Sequence, residues 1–419
     1  MKKLRNAISR FGPAIIAIGF TIGTGSVTSM IVAGSRFGAD LLWVIFLSCL
    51  FSWACIEAYG RFYLATGHTA LYGMKKYLPF GKYIAWLIII GVTLGQYNSL
   101  MGNLTITSNA IFEAFNLFIP GLRPYNYGFV VGLAAINVAT MYFLLNTGKY
   151  KLFERILTVF VGFMALSFLL SMFIEPPSVK EAVAGFVPRI PEVDGAMRLV
   201  VAFVGTTMAS ATFLSRPLFL QAKGWTKADS RHHTKDSLRA SVGIFILSAS
   251  IMFIAMATLH KDGKTVEKVL DMVSTLEPIA GRFAIAIFLL GTLSAGLTSI
   301  FPMLMITPMM LSDYQHGRFE MGTRQFKVLT AVAALVGLVG PLYGGNPIQV
   351  QIFSQVLLVV ALPLVIIAIL YFVNNKKLIL DLKAGIWLNT GLVLALIFSI
   401  LITYYGVTDI VSAITKYMD

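Results

Sequence analysis

Eleven apolar stretches divide this chain, each near the roughly 20 residues that carry a helix across a bilayer. They run over about 13–35, 39–60, 83–108, 126–146, 153–174, 197–221, 238–259, 280–311, 327–344, 347–373 and 384–406. Hydrocarbon offers backbone amides and carbonyls no partner, so a spanning segment must satisfy its own hydrogen bonds. No stretch reads as a strand and no soluble domain is inserted. The expected fold class is therefore an all-α integral membrane protein, one domain over residues 1–419. Composition agrees: 12% of residues are charged, about half the share in a soluble domain.

The net charge of +14 suggests nucleic acid at first sight. Its distribution favours loops facing the cytoplasm instead. With the N-terminus inside, the inner segments hold 22 Lys and Arg residues against 10 in the outer ones. This predicts a multi-pass cell-membrane protein with a cytoplasmic N-terminus and an outside C-terminus, surrounded by lipid and binding no nucleic acid. Met1 to Arg10 is basic, but no small-residue cleavage site follows, so no cleavable signal peptide is expected. Cys49 and Cys55 are six residues apart and point to different helix faces, which predicts neither a disulfide nor a chelate.

Two spans are interrupted. Residues 19–29 read Gly-Phe-Thr-Ile-Gly-Thr-Gly-Ser-Val-Thr-Ser, and residues 205–216 read Gly-Thr-Thr-Met-Ala-Ser-Ala-Thr-Phe-Leu-Ser-Arg. Glycine costs about 1 kcal/mol against alanine inside a helix. Backbone unwound at membrane depth must face protein or a water-filled cavity. Paired interruptions in corresponding spans point to a transporter's binding site. Here they fall in the first and sixth spans, five apart. Two five-helix halves of opposite orientation, about 13–174 and 197–373, would set them face to face, with 384–406 as an added helix. That is the LeuT-like 5+5 inverted repeat with broken helices 1 and 6.

Ionisable residues at membrane depth mark ion and proton paths, and few are found. Apart from Asp40, at the very start of the second, no Asp falls in the eleven spans as bounded above. Glu57 precedes Arg61 by one turn, which fits an i, i+4 ion pair at the membrane edge; a proton relay is the other reading. His232 and His233 read as a solvated pair in a basic loop. Arg216 follows the second interruption and precedes Pro217. It is either a cavity-lining counter-charge or gate, or a structural Arg bonded to freed carbonyls. Met303, Met305, Met309 and Met310 read as packing rather than soft-metal ligands. The uncharged Gln96, Asn98, Asn103, Gln351 and Gln355 could bond a substrate or hold helices together. In the outer loop after His260, Val266, Val269, Leu270, Met272 and Val273 have the spacing of a short surface helix.

The first two spans carry Gly12-Pro13, Gly25, Ala33-Gly34, Phe37-Gly38, Leu41-Leu42, Leu47-Ser48 and Thr66-Gly67. The tenth carries Ser354-Gln355-Val356-Leu357 and Ala361-Leu362-Pro363. In these residues and their spacing the chain resembles the NRAMP family of proton-coupled divalent metal transporters over nearly its whole length. The family's metal site is not retained. Its first-span Asp-Pro-Gly-Asn aligns with Gly23, Thr24, Gly25 and Ser26. Its sixth-span Met-Pro-His aligns with Ala209, Ser210 and Ala211, and a second His aligns with Arg216. Two proton-path carboxylates align with Gln96 and Ser99, while a tenth-span Gln persists as Gln355.

The resemblance and the interruptions together imply secondary transport by alternating access. The expected substrate site comprises Thr21, Gly23, Thr24, Gly25, Ser26, Thr206, Ala209, Ser210, Ala211, Thr212, Gln96, Ser99 and Gln355, with Arg216 as gate or counter-charge. Hydroxyls, amides and carbonyls suit a bare transition-metal ion poorly. A non-metal small molecule is the expected cargo, with a proton or sodium ion as the coupling candidate. A magnesium or manganese carrier with unusual ligands, and a non-transporting sensor or scaffold, are the alternatives. No catalytic residue, resident metal site or cofactor is expected, and no enzyme motif is present in the sequence.

Overall fold

The computed structural model describes residues 12–146, 150–174, 176–193, 195–267, 271, 282–379 and 382–418. Helices account for all regular structure among them. The first span is a pair, α1 (Gly12–Thr21) and α2 (Thr24–Phe37), followed by α3 (Leu42–Thr66), the short α4 (Ala70–Tyr77) and the long α5 (Gly81–Phe118). Then come α6 (Asn126–Asn146), α7 (Tyr150–Ile174) and the short α8 (Val179–Ala184). The sixth span is again a pair, α9 (Ala196–Thr207) and α10 (Ser210–Ala222). It leads to α11 (Ser230–Ala255), α12 (Arg282–His316) and α13 (Arg324–Tyr343). The tenth span is split into α14 (Pro347–Leu357) and α15 (Leu362–Asn374). After the single turn α16 (Lys376–Ile379), α17 (Ile386–Met418) ends the chain.

Among the described residues nine helices are long and apolar enough to cross a membrane, and the bent pair Pro13–Thr21 and Thr24–Phe37 makes ten. The remaining predicted segment is α7, whose apolar stretch Thr158–Phe173 is shorter. Burial orders the bundle. The segment Ala196–Ala222 is 89% buried and Leu293–His316 equally so, whereas Ile386–Ser412 is 28% buried. The broken sixth span and α12 are therefore central, and α17 lies at the edge. The exposed surface carries Trp86, Leu87, Ile90, Leu94, Leu335, Trp387, Ile397 and Leu401. In water such a patch would drive association; here it is the face turned to lipid.

The helices end where their residues stop supplying backbone partners. α1 closes with the Ile22 amide donating to the Ile18 carbonyl at 2.8 Å, and α2 opens with Val27 donating to Gly23 at 3.0 Å. The two meet at 56°. Gly23 is extended there, with φ −122° and ψ −166°, so its need for a missing side chain is spatial. A Cβ on Gly23 would lie 1.9 Å from Ser299 Oγ, and one on Gly25 would lie 2.5 Å from the Gln355 amide. The break in the sixth span is two residues, Met208 and Ala209, and the halves stay closer to collinear.

The tenth span is present where 347–373 is expected, with its helix interrupted between Leu357 and Leu362. Pro363 has no N–H for the Val359 carbonyl, and Thr403 Oγ1 from α17 donates to that carbonyl at 3.0 Å. The seventh span begins at Ser230 rather than near 238. His233, Asp236, Ser237, Ala240, Ser241 and Ile244 form one inward stripe at helical spacing. His233 is therefore fully buried, not a solvated loop residue, and only His232 keeps some exposure. Asp236 and Asp313 also lie inside helices, past the predicted span ends, so aspartate is not absent from the bundle. Of the proposed surface helix, Val266 is buried, while Val269, Leu270, Met272 and Val273 lie outside the described residues.

Candidate functional site

The two central breaks face each other. Ser26 Oγ on α2 and Thr206 Oγ1 on α9 are 2.6 Å apart. Both hydroxyls reach the Thr21 carbonyl, at 2.8 Å from Ser26 and 3.2 Å from Thr206. Two hydroxyl protons serve three contacts, so the pair acts as a short relay onto that carbonyl. Thr21 Oγ1 lies 3.5 Å from Thr212 Oγ1 on α10. The last carbonyl of α1, an orphan by helix geometry, is thus satisfied by the sixth span.

Beside this junction is a cavity of about 10 Å³, room for about one water molecule. Of the residues expected to bind substrate, Thr21, Gly23, Gly25, Gln96, Ser99, Thr206, Ala209 and Gln355 line it. Thr24, Ser26, Ser210, Ala211 and Thr212 do not line it, and the hydroxyls of Thr24, Ser26 and Thr212 meet residues that do. Thr24 Oγ1 donates to Asn103 Oδ1, and Asn103 Nδ2 donates to the Ser99 carbonyl at 2.8 Å. Gln355 Nε2 donates to Ser99 Oγ at 3.1 Å and to Ser354 Oγ at 3.2 Å. Ser210 Oγ is buried without a partner.

Phe20, Asn103, Ser299, Met303 and Leu358 complete the lining. Asn103 was legible as a polar residue in an apolar span. Met303, expected to serve packing, lines the cavity, and its Sδ accepts from Asn103 Nδ2 at 3.3 Å. Ser299 was missed, although Ser294, Thr298 and Ser299 form a hydroxyl run in α12 that could have flagged it. Its Oγ has no partner.

The wall carries no carboxylate, imidazole or thiol. Among the described residues no group of three His, Cys, Asp or Glu side chains could hold a metal ion. Two helix N-termini flank the cavity, those of α2 and α10. Neither has a side-chain cap or an acidic residue in its first turn. Their free amides and dipoles leave a surplus of hydrogen-bond donors and partial positive charge.

Arg216 does not line the cavity. It lies further along α10, 1% exposed, where Nη2 donates to Asp236 Oδ2 at 2.6 Å and to His233 Nδ1 at 3.0 Å. Two turns of helix carry the guanidinium from the break toward α11, and its counter-charge is Asp236. The Glu57–Arg61 pair is present at 2.7 Å, with Glu57 fully buried. Glu57 also accepts from Thr234 at 2.7 Å and Ser237 at 2.6 Å.

A helical bundle whose first and sixth spans break opposite each other around a small polar cavity has the architecture of the LeuT-like class. Its relatives place it more narrowly. The family model described as "Natural resistance-associated macrophage protein-like" matches residues 14–409; the chain belongs to the Nramp family. It is 28% identical over 406 residues to the divalent metal cation transporter MntH of Brucella suis biovar 1, covering 92% of this chain and 85% of that one. To the MntH of Granulibacter bethesdensis it is 26% identical, covering 88% and 81%. Its fold matches the Eremococcus coleocola manganese transporter in complex with an aromatic bis-isothiourea compound. The TM-score is 0.75 at 16% identity, over 99% of this chain and 88% of that one. It also matches MhsT in complex with L-phenylalanine, with TM-score 0.67 at 15% identity, over 95% and 98%.

Proposed function

We propose that this Nramp-family chain carries a small organic solute, neutral or anionic, rather than a bare transition-metal ion. The observation that carries this reading is the donor set of the cavity. Hydroxyls, amides and two uncapped helix N-termini surround it, with no anionic or imidazole ligand among the lining residues. A dehydrated dication needs carboxylate, imidazole or thiolate partners to replace its water. A carboxylate or other electron-rich group instead fits the amides that open α2 and α10. The small volume of about 10 Å³ requires these walls to part for such a cargo, which is what alternating access supplies.

In this reading the halves near 13–174 and 197–373 rock about the site, with 384–406 as an accessory helix. The N-terminus is cytoplasmic, and a proton or sodium ion is the coupling candidate. Thr21, Gly23, Gly25, Thr206, Ala209, Gln96, Ser99 and Gln355 touch the cargo. Thr24, Ser26, Ser210, Ala211 and Thr212 shape the wall.

A second reading, a magnesium or manganese carrier, is favoured by the relatives' function and by the Met303 thioether in the wall. The two readings separate in proteoliposomes. Manganese and magnesium uptake are followed with an internal metal-sensitive dye, beside thermal shifts with each metal and with a panel of small carboxylates. The organic reading expects no saturable metal uptake and stabilisation by a carboxylate, about 2.7 kcal/mol at a hundredfold excess over Kd. Saturable uptake of either metal overturns it.

A further inference from the structure

A second polar cluster, outside the cavity, ties three helices together. Arg216 comes from α10, Glu57 and Arg61 from α3, and His233, Thr234, Asp236 and Ser237 from α11. Its centre is His233, with no solvent exposure. The ring sits against Gly60 of α3, where a Cβ would lie 2.1 Å from Cε1 and Nε2.

The two ring nitrogens have different partners. Nδ1 is 3.0 Å from Arg216 Nη2. A guanidinium can only donate, so Nδ1 must accept with its lone pair. Nε2 then carries the proton and faces Glu57, 3.2 Å from its carbonyl and 3.3 Å from Oε2. The imidazole is neutral in this arrangement. A proton arriving from water can bind only at Nδ1, where Arg216 already occupies the lone pair. Protonation would set N–H against N–H and cation against cation.

Arg216 has somewhere to go. Its Nε and Nη1 are buried without partners, and so is Asp236 Oδ1. Released from His233, the guanidinium can engage Asp236 through both oxygens, the two-point geometry that arginine and carboxylate favour. The imidazolium would keep Glu57 as its counter-charge. Each state has its own set of satisfied bonds, as a two-position element requires.

We propose that His233 Nδ1 is a proton-binding site whose occupancy decides whether Arg216, and with it α10, is joined through the His233 ring to Glu57 of α3. α10 begins at the break beside the cavity, so the proton, by removing the His233–Arg216 bond, would loosen the half-helix that starts at one wall of the cavity. The charged groups facing His233 are Arg216 of α10, Glu57 and Arg61 of α3, and Asp236 of its own helix. α1 contributes no ionisable side chain, Arg155 of α7 is exposed, and Asp229 in the preceding turn is engaged by Thr226. Arg36 is the one ionisable residue of α2 and lies in its last turn.

The test is amide hydrogen exchange of the purified full-length protein in lipid nanodiscs, with labelling times scaled for intrinsic exchange, at about pH 3.5 and about pH 8, well to either side of imidazole titration. Peptides across Ser210–Ala222 are expected to open at least about fivefold more at the lower pH. His233→Gln, which keeps an acceptor but cannot take the proton, is expected to abolish that difference. His232→Gln is expected to retain it. Equal opening of the unmodified protein at both pH values overturns the proposal without any variant. So does a pH difference that survives in His233→Gln or vanishes in His232→Gln. No cargo is used, so the outcome is independent of what the transporter carries.

Discussion

Ser26 and Thr206, 180 positions apart in sequence, bring their hydroxyls to 2.6 Å across the two central helix breaks. Both also reach the Thr21 carbonyl, which ends α1. Either hydroxyl alone can satisfy that carbonyl. Ser26→Ala and Thr206→Val are therefore expected to be mild singly, about 0.5–1.5 kcal/mol each. The double variant leaves a buried carbonyl unsatisfied and is expected to exceed the sum of the singles by about 1 kcal/mol. Thermal stability of the four proteins in one detergent measures it. Additive losses would show that the carbonyl has another partner.

Gly23 is required by closeness, not by a left-handed backbone. A methyl at this position would meet Ser299 Oγ at 1.9 Å and Ser299 Cβ at 2.6 Å. Gly23→Ala is expected to cost about 1–3 kcal/mol by overpacking and to weaken cargo binding. Ser299→Gly in the same chain removes both contacts and is expected to restore most of the stability. Ser299→Ala removes only the oxygen and is expected to restore less. Equal rescue by the two would place the clash elsewhere.

Asp313 joins α12 to the start of α4. Oδ2 accepts from the Leu71 amide at 3.0 Å and Oδ1 from the Tyr72 amide at 3.3 Å, with Thr69 Oγ1 also donating. The Asp does for α4 what an N-cap residue does from within the chain. Asp313→Asn turns one acceptor into a donor facing an N–H. It is expected to cost about 1–2 kcal/mol, the range of a lost cap, and to raise amide exchange at Leu71 and Tyr72 before the rest of the bundle. Unchanged protection of those two amides would count against this role.

His68 lies just beyond α3, outside the spanning segments. Partial burial, and then the Lys76 ammonium 3.0 Å from its Nε2, hold its pKa below the usual imidazole value. The unfolded chain therefore binds this proton more readily than the folded one. The stability His68 contributes is present above the ordinary imidazole pKa and is lost as pH falls through the lowered folded value. Thermal stability is expected to decline on acidification in that window, and His68→Gln to flatten that part of the decline. An identical pH profile in the variant would assign the decline to other groups.

Some of the candidate site was legible because local chemistry alone decided it. Gly23, Gly25 and the hydroxyls around them conflict with a continuous helix in hydrocarbon, and so do the small residues near Ala209. Both breaks occur there, and eight of the residues expected at the site line one cavity. The resemblance in the first and tenth spans likewise named the family whose model matches residues 14–409.

What stayed hidden depended on which helix faces meet. Ser299 and Met303 are ordinary residues of an apolar span until α12 packs against α5 and the first break. Arg216, seven residues past Ala209, looked like a neighbour of the cavity; the helix carries it away to Asp236. His233 read as a loop residue because its flanks are basic, yet the stripe from His233 to Ile244 is buried by α3. The order of apolar and broken segments is a property of the chain, since each residue meets the bilayer or leaves its own helix by local energetics. The pairing of His233 with Glu57 and Arg216 arises only in the packed bundle, where a buried polar group is stable solely through partners brought from distant sequence.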